Sequence, residues 1–194
     1  MYTIVLDSSN KDLLVGIAYE DKIIDCVNYE AWQRQSELMI PELERLMKKN
    51  SVNKDNIKDV VIGIGPGSYT GVRISLTIGK IISQVLNVPL YAISSLQMLK
   101  CGEKLSICLI NARSKRSYVG VYQGDKTLLK DCIMYNDDIK SLLLEYPDAM
   151  ICGDTSYLGL DGYQGNIMEE MLSIKKNSSS VDNVLGLTPI YLKD

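Results

Sequence analysis

Apolar residues recur along the chain with two periods, which together predict an alternation of strands and helices. Short β-branched runs bounded by glycine or polar turns predict strands. Apolar residues spaced three and four apart predict two long helices, at residues 36–49 and 72–86. The first half is predicted to fold as strands at 2–7, 13–19, 23–29, 59–62 and 89–93, with helices at 36–49, 72–86 and 96–100.

The second half begins with the same order of elements after a break at residues 101–103. Strands are predicted at 105–110, 117–122, 127–135 and 149–152, with a helix at 137–145. We therefore expect two domains, residues 1–101 and 102–194, each an α/β unit with helices packed on a mixed sheet. Glycine and serine residues are frequent from residue 161 onward, so the second domain is expected to be the smaller of the two.

An acidic residue, Asp7, closes the first predicted strand. An acidic residue at the end of the first of three strands joined by short turns resembles the start of actin-like ATPase and RNase H-like domains. Because the second half repeats the order of the first, a duplicated β-β-β-α-β-α fold is expected. In that fold the carboxylate often holds a metal or a phosphate through water. The phosphate turn of the fold reads Asp-x-Gly, whereas residues 7–10 read Asp-Ser-Ser-Asn. A kinase or ATPase using Asp7, Asp154 and the 65–71 loop around Mg-ATP stays open as an alternative.

A glycine-rich loop joins the strand at 59–62 to the helix at 72–86. Such a loop can aim backbone N–H groups at an anion above the helix N-terminus, or it can be a tight turn that lets the helix approach the sheet. Ser68 breaks a Gly-x-Gly-x-x-Gly fingerprint, and Lys80 lies too deep in the helix for a P-loop. Both interpretations of the loop stay open.

The helix at 72–86 is apolar over more than half of its circumference. Ser75, Gly79 and Ser83 form a stripe of small residues within that arc, and Ile82 and Leu86 adjoin the stripe. A surface helix normally needs a single apolar stripe, so this helix is expected to pack on its own sheet and on a second surface. Complete burial within one domain is the alternative.

The helix at 36–49 has one apolar face, with Ser36 as its expected N-cap, and Pro41 is expected to kink the helix or to mark a restart. The apolar face carries Met39, Ile40, Leu43, Leu46 and Met47. Two methionines on one face suit an adaptable contact with a partner, and plain core packing is the alternative.

Composition narrows the chemistry that this chain can perform. The 194 residues include no histidine, which excludes Ser-His catalysis and a histidine-held metal in this chain, and no metal site is expected. The five cysteines are scattered, as in a reducing compartment. A net charge of −3, with Arg113, Lys115 and Arg116 as the local basic cluster, disfavours direct RNA binding. Without an apolar run that spans a bilayer, a cytoplasmic protein with no membrane contact is expected.

The central run resembles the signature of the TsaB (YeaZ) family, which takes part in making threonylcarbamoyladenosine in bacterial tRNA. It reads Gly63-Ile64-Gly65-Pro66-Gly67-Ser68-Tyr69-Thr70-Gly71-Val72-Arg73-Ile74. Weaker matches fall in order at 4–9, 35–38 with Pro41, 88–90 with 94–96, 111–113 before Tyr118, and 189–192. Gln35 replaces a usual histidine, and Asn111 replaces a usual aspartate; neither is a known catalytic position of the family.

The resemblance implies a non-catalytic subunit of the actin-like fold that forms a heterodimer with its catalytic paralogue TsaD. The ATPase TsaE joins the pair, and tRNA is bound only through the complex. No intrinsic cofactor is implied; a nucleotide would bind only where the partners meet, and the lone chain could form a homodimer. The implied partner contact comprises Ser36, Met39, Ile40, Leu43, Leu46, Met47, Ser75, Gly79, Ile82, Ser83 and Leu86. The signature loop comprises Gly65, Pro66, Gly67, Ser68, Tyr69, Thr70, Gly71 and Arg73.

Overall fold

The computed structural model describes residues 1–192, which form two β-sheets with helices packed against them. The strands are β1 (Tyr2–Asp7), β2 (Asp12–Tyr19), β3 (Lys22–Glu30), β4 (Ile57–Gly63), β5 (Leu90–Ile93), β6 (Leu105–Arg113), β7 (Arg116–Gln123), β8 (Lys126–Tyr135) and β9 (Met150–Cys152). The helices are α1 (Gln35–Lys49), α2 (Tyr69–Leu86), α3 (Asn136–Glu145) and α4 (Ile167–Lys176).

The first sheet has the order β3-β2-β1-β4-β5. Its first three strands form an antiparallel meander, and β4 and β5 run parallel to β1. Parallel strands need crossover connections, and α1 and α2 provide them on one face of the sheet. Met39 of α1 and Leu76 of α2 pack there on Ile4, Leu6 and Ile62. The expected mixed sheet is confirmed.

The opposite face of the first sheet is covered by α4, which comes from the second half of the chain. Met168, Met171 and Leu172 are buried against Val5 and Val61. No helix was predicted here, because the glycine-spaced stretch after residue 161 was expected to be thin. The helix nevertheless has a sequence signal: Asn166 caps it by accepting from the N–H of Glu169 at 3.3 Å.

A buried ion pair fixes the end of α4 to the sheet. Nζ of Lys175 lies 2.6 Å from Oδ2 of Asp59 and 2.9 Å from Oδ1 of Asp21, and it donates to Oγ1 of Thr3 at 3.2 Å. Burial alone would lower the pKa of Lys175, but the hydrogen bonds to Asp59 and Asp21 outweigh it and raise the pKa. The lysine is therefore held charged beneath the sheet.

The C-terminal segment, residues 177–192, continues along the first sheet. The N–H of Val181 donates to O of Leu90, and the N–H of Ile190 donates to O of Ile64, both at 2.8 Å. Residues after α3 thus contribute to both faces of the N-terminal half. The boundary after residue 101 stays a prediction.

The second sheet has the order β8-β7-β6-β9, one strand fewer than the first. It repeats the antiparallel meander followed by a parallel strand, and α3 packs on one face. The actin-like, RNase H-like class with a reduced second unit is confirmed. In the described part of the chain, no helix combines the length and apolar character needed to cross a bilayer.

Two local predictions are wrong. The helix expected at 96–100 is a single 3-10 turn, Gln97–Leu99, whose N-cap residue, Leu96, makes no side-chain capping bond. Ser36 is not an N-cap, because α1 already begins at Gln35; the cap position is Arg34, which makes no side-chain capping bond. Pro41 lies inside α1, which runs without interruption to Lys49.

Candidate functional site: signature loop, cleft and outer helix faces

The signature loop packs tightly on the turn between β1 and β2. The N–H of Ser68 donates to O of Ser9 at 2.7 Å, and Oγ of Ser8 donates to O of Gly71 at 2.7 Å. A Cβ atom on Gly67 would overlap the carbonyl oxygen of Ser9, and one on Gly71 would overlap the carbonyl oxygen of Ser8. The glycines are therefore needed for close approach of two backbone segments, which favours the tight-turn interpretation of the loop.

The next segment along the chain holds the other end of the loop. Gly65 donates its N–H to Oγ of Ser95 at 3.0 Å, and the N–H of Ser95 donates back to O of Gly65 at 2.8 Å. Gly65 is the loop residue with a positive φ, +93°, and its peptide bond to Pro66 is cis. The loop is thus anchored on both sides by serine residues.

Asp7 lies behind this loop, at the end of β1. Its side chain is 2% exposed and accepts from the N–H and Oγ of Ser9 at 3.3 and 3.1 Å. Burial raises the pKa of Asp7 to about 6, because its effect outweighs the hydrogen bonds from Ser9, which lower the pKa. A catalytic carboxylate that holds Mg-ATP needs contact with the ligand, and Asp7 is almost completely buried. The arrangement does not favour the kinase or ATPase alternative.

A central cleft of about 850 Å³ separates the two sheets. Residues of the β1–β2 turn, the signature loop and the second sheet line it, and Asp154 is among them while Asp7 is not. Asp154 accepts from Oγ of Ser156 at 2.7 Å. The structure therefore does not bring the two aspartates of the ATPase alternative together at this cleft.

The small-residue stripe of α2 faces the chain's own sheet. Oγ of Ser75 donates to O of Gly63 at 3.0 Å, and a Cβ atom on Gly79 would stand 2.5 Å from Cγ2 of Ile62. Ser83 is 2% exposed. This burial corrects the prediction that Ser75, Gly79 and Ser83 are offered to a partner chain.

Half of the predicted α1 contact residues also belong to the core. Met39 and Leu46 are fully buried, and Leu43 is 6% exposed. Ile40 is 49% exposed, Ser36 is exposed and Met47 is half-buried. A shallow groove runs along α1 past Ile40 and Met47, so only this part of the predicted surface is accessible.

The outward side of α2 carries two apolar residues that were not predicted as contacts. Ile81 is 57% exposed and Val85 is 75% exposed, whereas Ile82 and Leu86 are half-buried against the core. Ile81 and Val85 are four residues apart and therefore share one helix face. The sequence signal was present, because both are apolar and lie opposite the small-residue stripe. We call Ile40, Ile81 and Val85 the outer helix residues.

An aromatic cluster joins the signature loop to the C-terminal segment. The guanidinium of Arg73 lies 3.9 Å from the ring centre of Tyr69, and its Nε donates to Oη of Tyr191 at 2.7 Å. The rings of Tyr69 and Tyr191 stack with centres 5.3 Å apart. Ser68, whose Oγ accepts from the N–H of Gly71 at 3.3 Å, lines the central cleft together with Thr70.

The described residues contain no group of three or more Cys, Asp or Glu side chains placed to hold a metal ion.

A comparison with known families matches residues 28–162, more than half of the chain, to the family described as TsaD: tRNA N6-adenosine threonylcarbamoyltransferase. TsaB of Bacillus subtilis, named a tRNA threonylcarbamoyladenosine biosynthesis protein, is 28% identical over 218 residues, covering 100% of this chain and 94% of that protein. The chain belongs to the TsaB (YeaZ) branch of this family. The TsaB resemblance predicted from the signature loop is confirmed.

Two further comparisons find a protein of similar sequence and a solved structure of similar fold. An uncharacterised protein of Mycoplasma genitalium, MG208, is 30% identical over 198 residues, covering 100% of this chain and 95% of that protein. The solved structure of YeaZ from Pseudomonas aeruginosa matches with a TM-score of 0.85 at 20% identity, over 98% of this chain and 99% of that one. The structural match supports the fold.

Proposed function

We propose that this chain takes part in tRNA threonylcarbamoyladenosine biosynthesis as a subunit that binds and activates the catalytic paralogue TsaD. The observation that carries the proposal is the full-length similarity to the B. subtilis protein named for this biosynthesis. Because the chain has no histidine, a histidine-held metal has to come from another subunit. In this proposal the chain itself performs no transfer step.

The outer helix residues provide the surface for the partner. Ile81 and Val85 expose more than half of their side chains on a helix whose other side is fixed on the sheet. The proposal assigns Ile40, which is exposed beside the groove of α1, to the same partner contact. Stable subunit contacts bury on the order of 1,500 Å² and place apolar residues at their centre.

The remaining partners follow from the same proposal. TsaE joins the pair, tRNA is reached through the complex, and a nucleotide binds only where subunits meet. Alone, the chain uses the same surface to form a homodimer. We assign the reaction to the cytoplasm.

The association is tested by sedimentation of mixtures of this chain with TsaD of the same organism. The double variant Ile81→Glu/Val85→Glu should weaken association by at least about a hundredfold, because it places two charges in an apolar contact. The matched control is Gln123→Glu/Thr127→Glu, which adds the same charges at exposed polar positions of β7 and β8 in the second sheet. Equal association of both variants would refute this surface, and no association of the wild-type chain would refute the proposal.

A further inference from the structure

Two cysteine residues lie side by side in the core of the second sheet. Cys108 of β6 and Cys152 of β9 are register partners in neighbouring parallel strands. Side chains alternate between the two faces along a strand, and register partners share a face, so both thiols point to the same side of the sheet. Both residues are completely buried, in one core cluster with Leu96 and Tyr122. This face is the one opposite α3.

The spacing of the two strands suits a disulfide bond. Neighbouring strands lie roughly 4.7–4.9 Å apart, and disulfide-bonded cysteines usually have Cα atoms roughly 4.4–6.8 Å apart. Cys108 and Cys152 are therefore within bonding reach from their present backbone positions. Two of the other cysteines have no such neighbour, because Cys26 pairs with Gly16 in the first sheet and Cys132 pairs with Val119 in the second.

Hydrogen bonds connect the two thiols. The thiol of Cys108 donates to Sγ of Cys152, and Sγ of Cys152 donates in turn to O of Met150 at 3.7 Å. The bond from Cys108 lowers the pKa of Cys152, whereas burial raises the pKa of Cys108. The thiolate is the form that attacks a disulfide, so Cys152 is the nucleophile of the pair.

A reagent reaches the pair through the edge of the second sheet. The edge strand β9 comprises only three residues, Met150–Cys152. An isolated bridge joins Cys152 to Tyr163, which is exposed. Regions with few buried contacts open locally at a low cost in free energy while the rest of the protein stays folded. Opening of β9 therefore exposes Cys152 without unfolding of the sheet.

We propose that Cys108 and Cys152 form a reversible disulfide bond when the chain meets a small-molecule disulfide such as oxidised glutathione. The Cys152 thiolate attacks one sulfur atom of the small disulfide and expels the first small thiol. The Cys108 thiolate then attacks Sγ of Cys152 in the mixed disulfide and expels the second. The two protein thiols lose two electrons and two protons, which leave on the two small thiols. In a reducing compartment such a bond is transient and senses the redox state.

The bond fixes one wall of the central cleft. β9 runs directly into Gly153 and Asp154, and β6 ends at Asn111 and Arg113; all four residues line the cleft. A covalent link between the two strands prevents the local opening of β9. The redox state of the chain therefore controls the mobility of this wall.

Peptide mapping tests the bond in the full chain. The five cysteines fall on five different tryptic peptides, because a lysine or arginine stands between each cysteine and the next. The native protein is incubated in buffers with increasing ratios of oxidised to reduced glutathione, alkylated and digested without a reductant. We expect a cross-link between peptides 105–113 and 141–175 that disappears when reduced glutathione is restored.

Matched variants identify the residues that form the bond. Cys152→Ala should abolish the cross-link, whereas Cys132→Ala, which removes a half-buried cysteine of β8, should leave it unchanged. In the oxidised wild-type protein, amide hydrogen exchange in β9 should be at least about tenfold slower than in the reduced protein. An unchanged exchange rate would refute the control of the cleft wall.

Three results of the mapping would overturn the disulfide itself. They are the absence of a cross-link in the wild-type protein, a cross-link that forms only in urea, and a cross-link in which Cys101 replaces either member of the pair. Because the chain is measured without TsaD, these results are independent of the proposed activation of TsaD.

Discussion

Gly79 of α2 lies directly on Ile62 of β4, so closely that an added Cβ atom would stand 2.5 Å from Cγ2 of that isoleucine. The pair shows which side of α2 belongs to the chain's own core. The opposite side of α2 is exposed and carries Ile81 and Val85.

The first prediction concerns this contact. Gly79→Ala gains about 1 kcal/mol of helix propensity, but the new methyl group must displace Ile62 or lift the helix, which costs about 1–3 kcal/mol. We expect a net loss of about 1 kcal/mol in the free energy of unfolding, measured with urea. Gln84→Ala, at an exposed position of the same helix, is the control and should not destabilise the protein. A Gly79→Ala protein more stable than wild type would contradict the close contact.

The second prediction concerns the buried cation beneath α4. Lys175→Met leaves Asp59 buried without its counter-ion, so the free energy of unfolding should fall by about 3–5 kcal/mol. Lys48→Met, which removes an exposed lysine paired with Glu44, should change it by less than about 0.5 kcal/mol.

Adding Asp59→Leu to Lys175→Met removes both members of the closest buried pair. Part of the lost stability should return, because no unpaired carboxylate remains at that position. The Asp59→Leu single variant is measured as well. If the loss in the free energy of unfolding of the double variant equals the sum of the losses of the two single variants, the ion pair does not explain the effect of Lys175→Met.

The third prediction concerns pH. Burial raises the pKa of Asp7 from 3.8 to about 6, so between these values the folded protein holds a proton that the unfolded chain has released. The free energy of unfolding should therefore fall as the pH rises from about 4 to 6. The Asp7→Asn variant lacks this titration. Relative to it, the free energy of unfolding of the wild-type protein should fall by on the order of 2–3 kcal/mol between about pH 4 and pH 6. A carboxyl titration midpoint near 4, followed by NMR, would contradict the buried environment.

Much of the fold follows from the sequence because its signals are local. Alternating β-branched residues and short polar turns predict both meanders, and the apolar spacing in α1 and α2 predicts both helices. The signature loop was recognised from consecutive residues, and its glycines are required where two backbone segments touch.

The errors concern what packs against what. Helical periodicity places Ser75, Gly79 and Ser83 on one face, but it does not say whether that face meets the chain's own sheet or a partner. The role of α4 was missed for a similar reason. Lys175 forms ion pairs with Asp21 and Asp59, which lie more than one hundred positions earlier in the chain. No local pattern records such a pairing.

The most direct test of the central claim is the rate of threonylcarbamoyl transfer to tRNA by TsaD, measured alone, with this chain, and with the Ile81→Glu/Val85→Glu variant. We predict that the wild-type chain raises the rate by at least about tenfold, that the variant does not, and that the chain without TsaD transfers nothing. Transfer by this chain alone, or a TsaD rate that the wild-type chain leaves unchanged, would contradict the account.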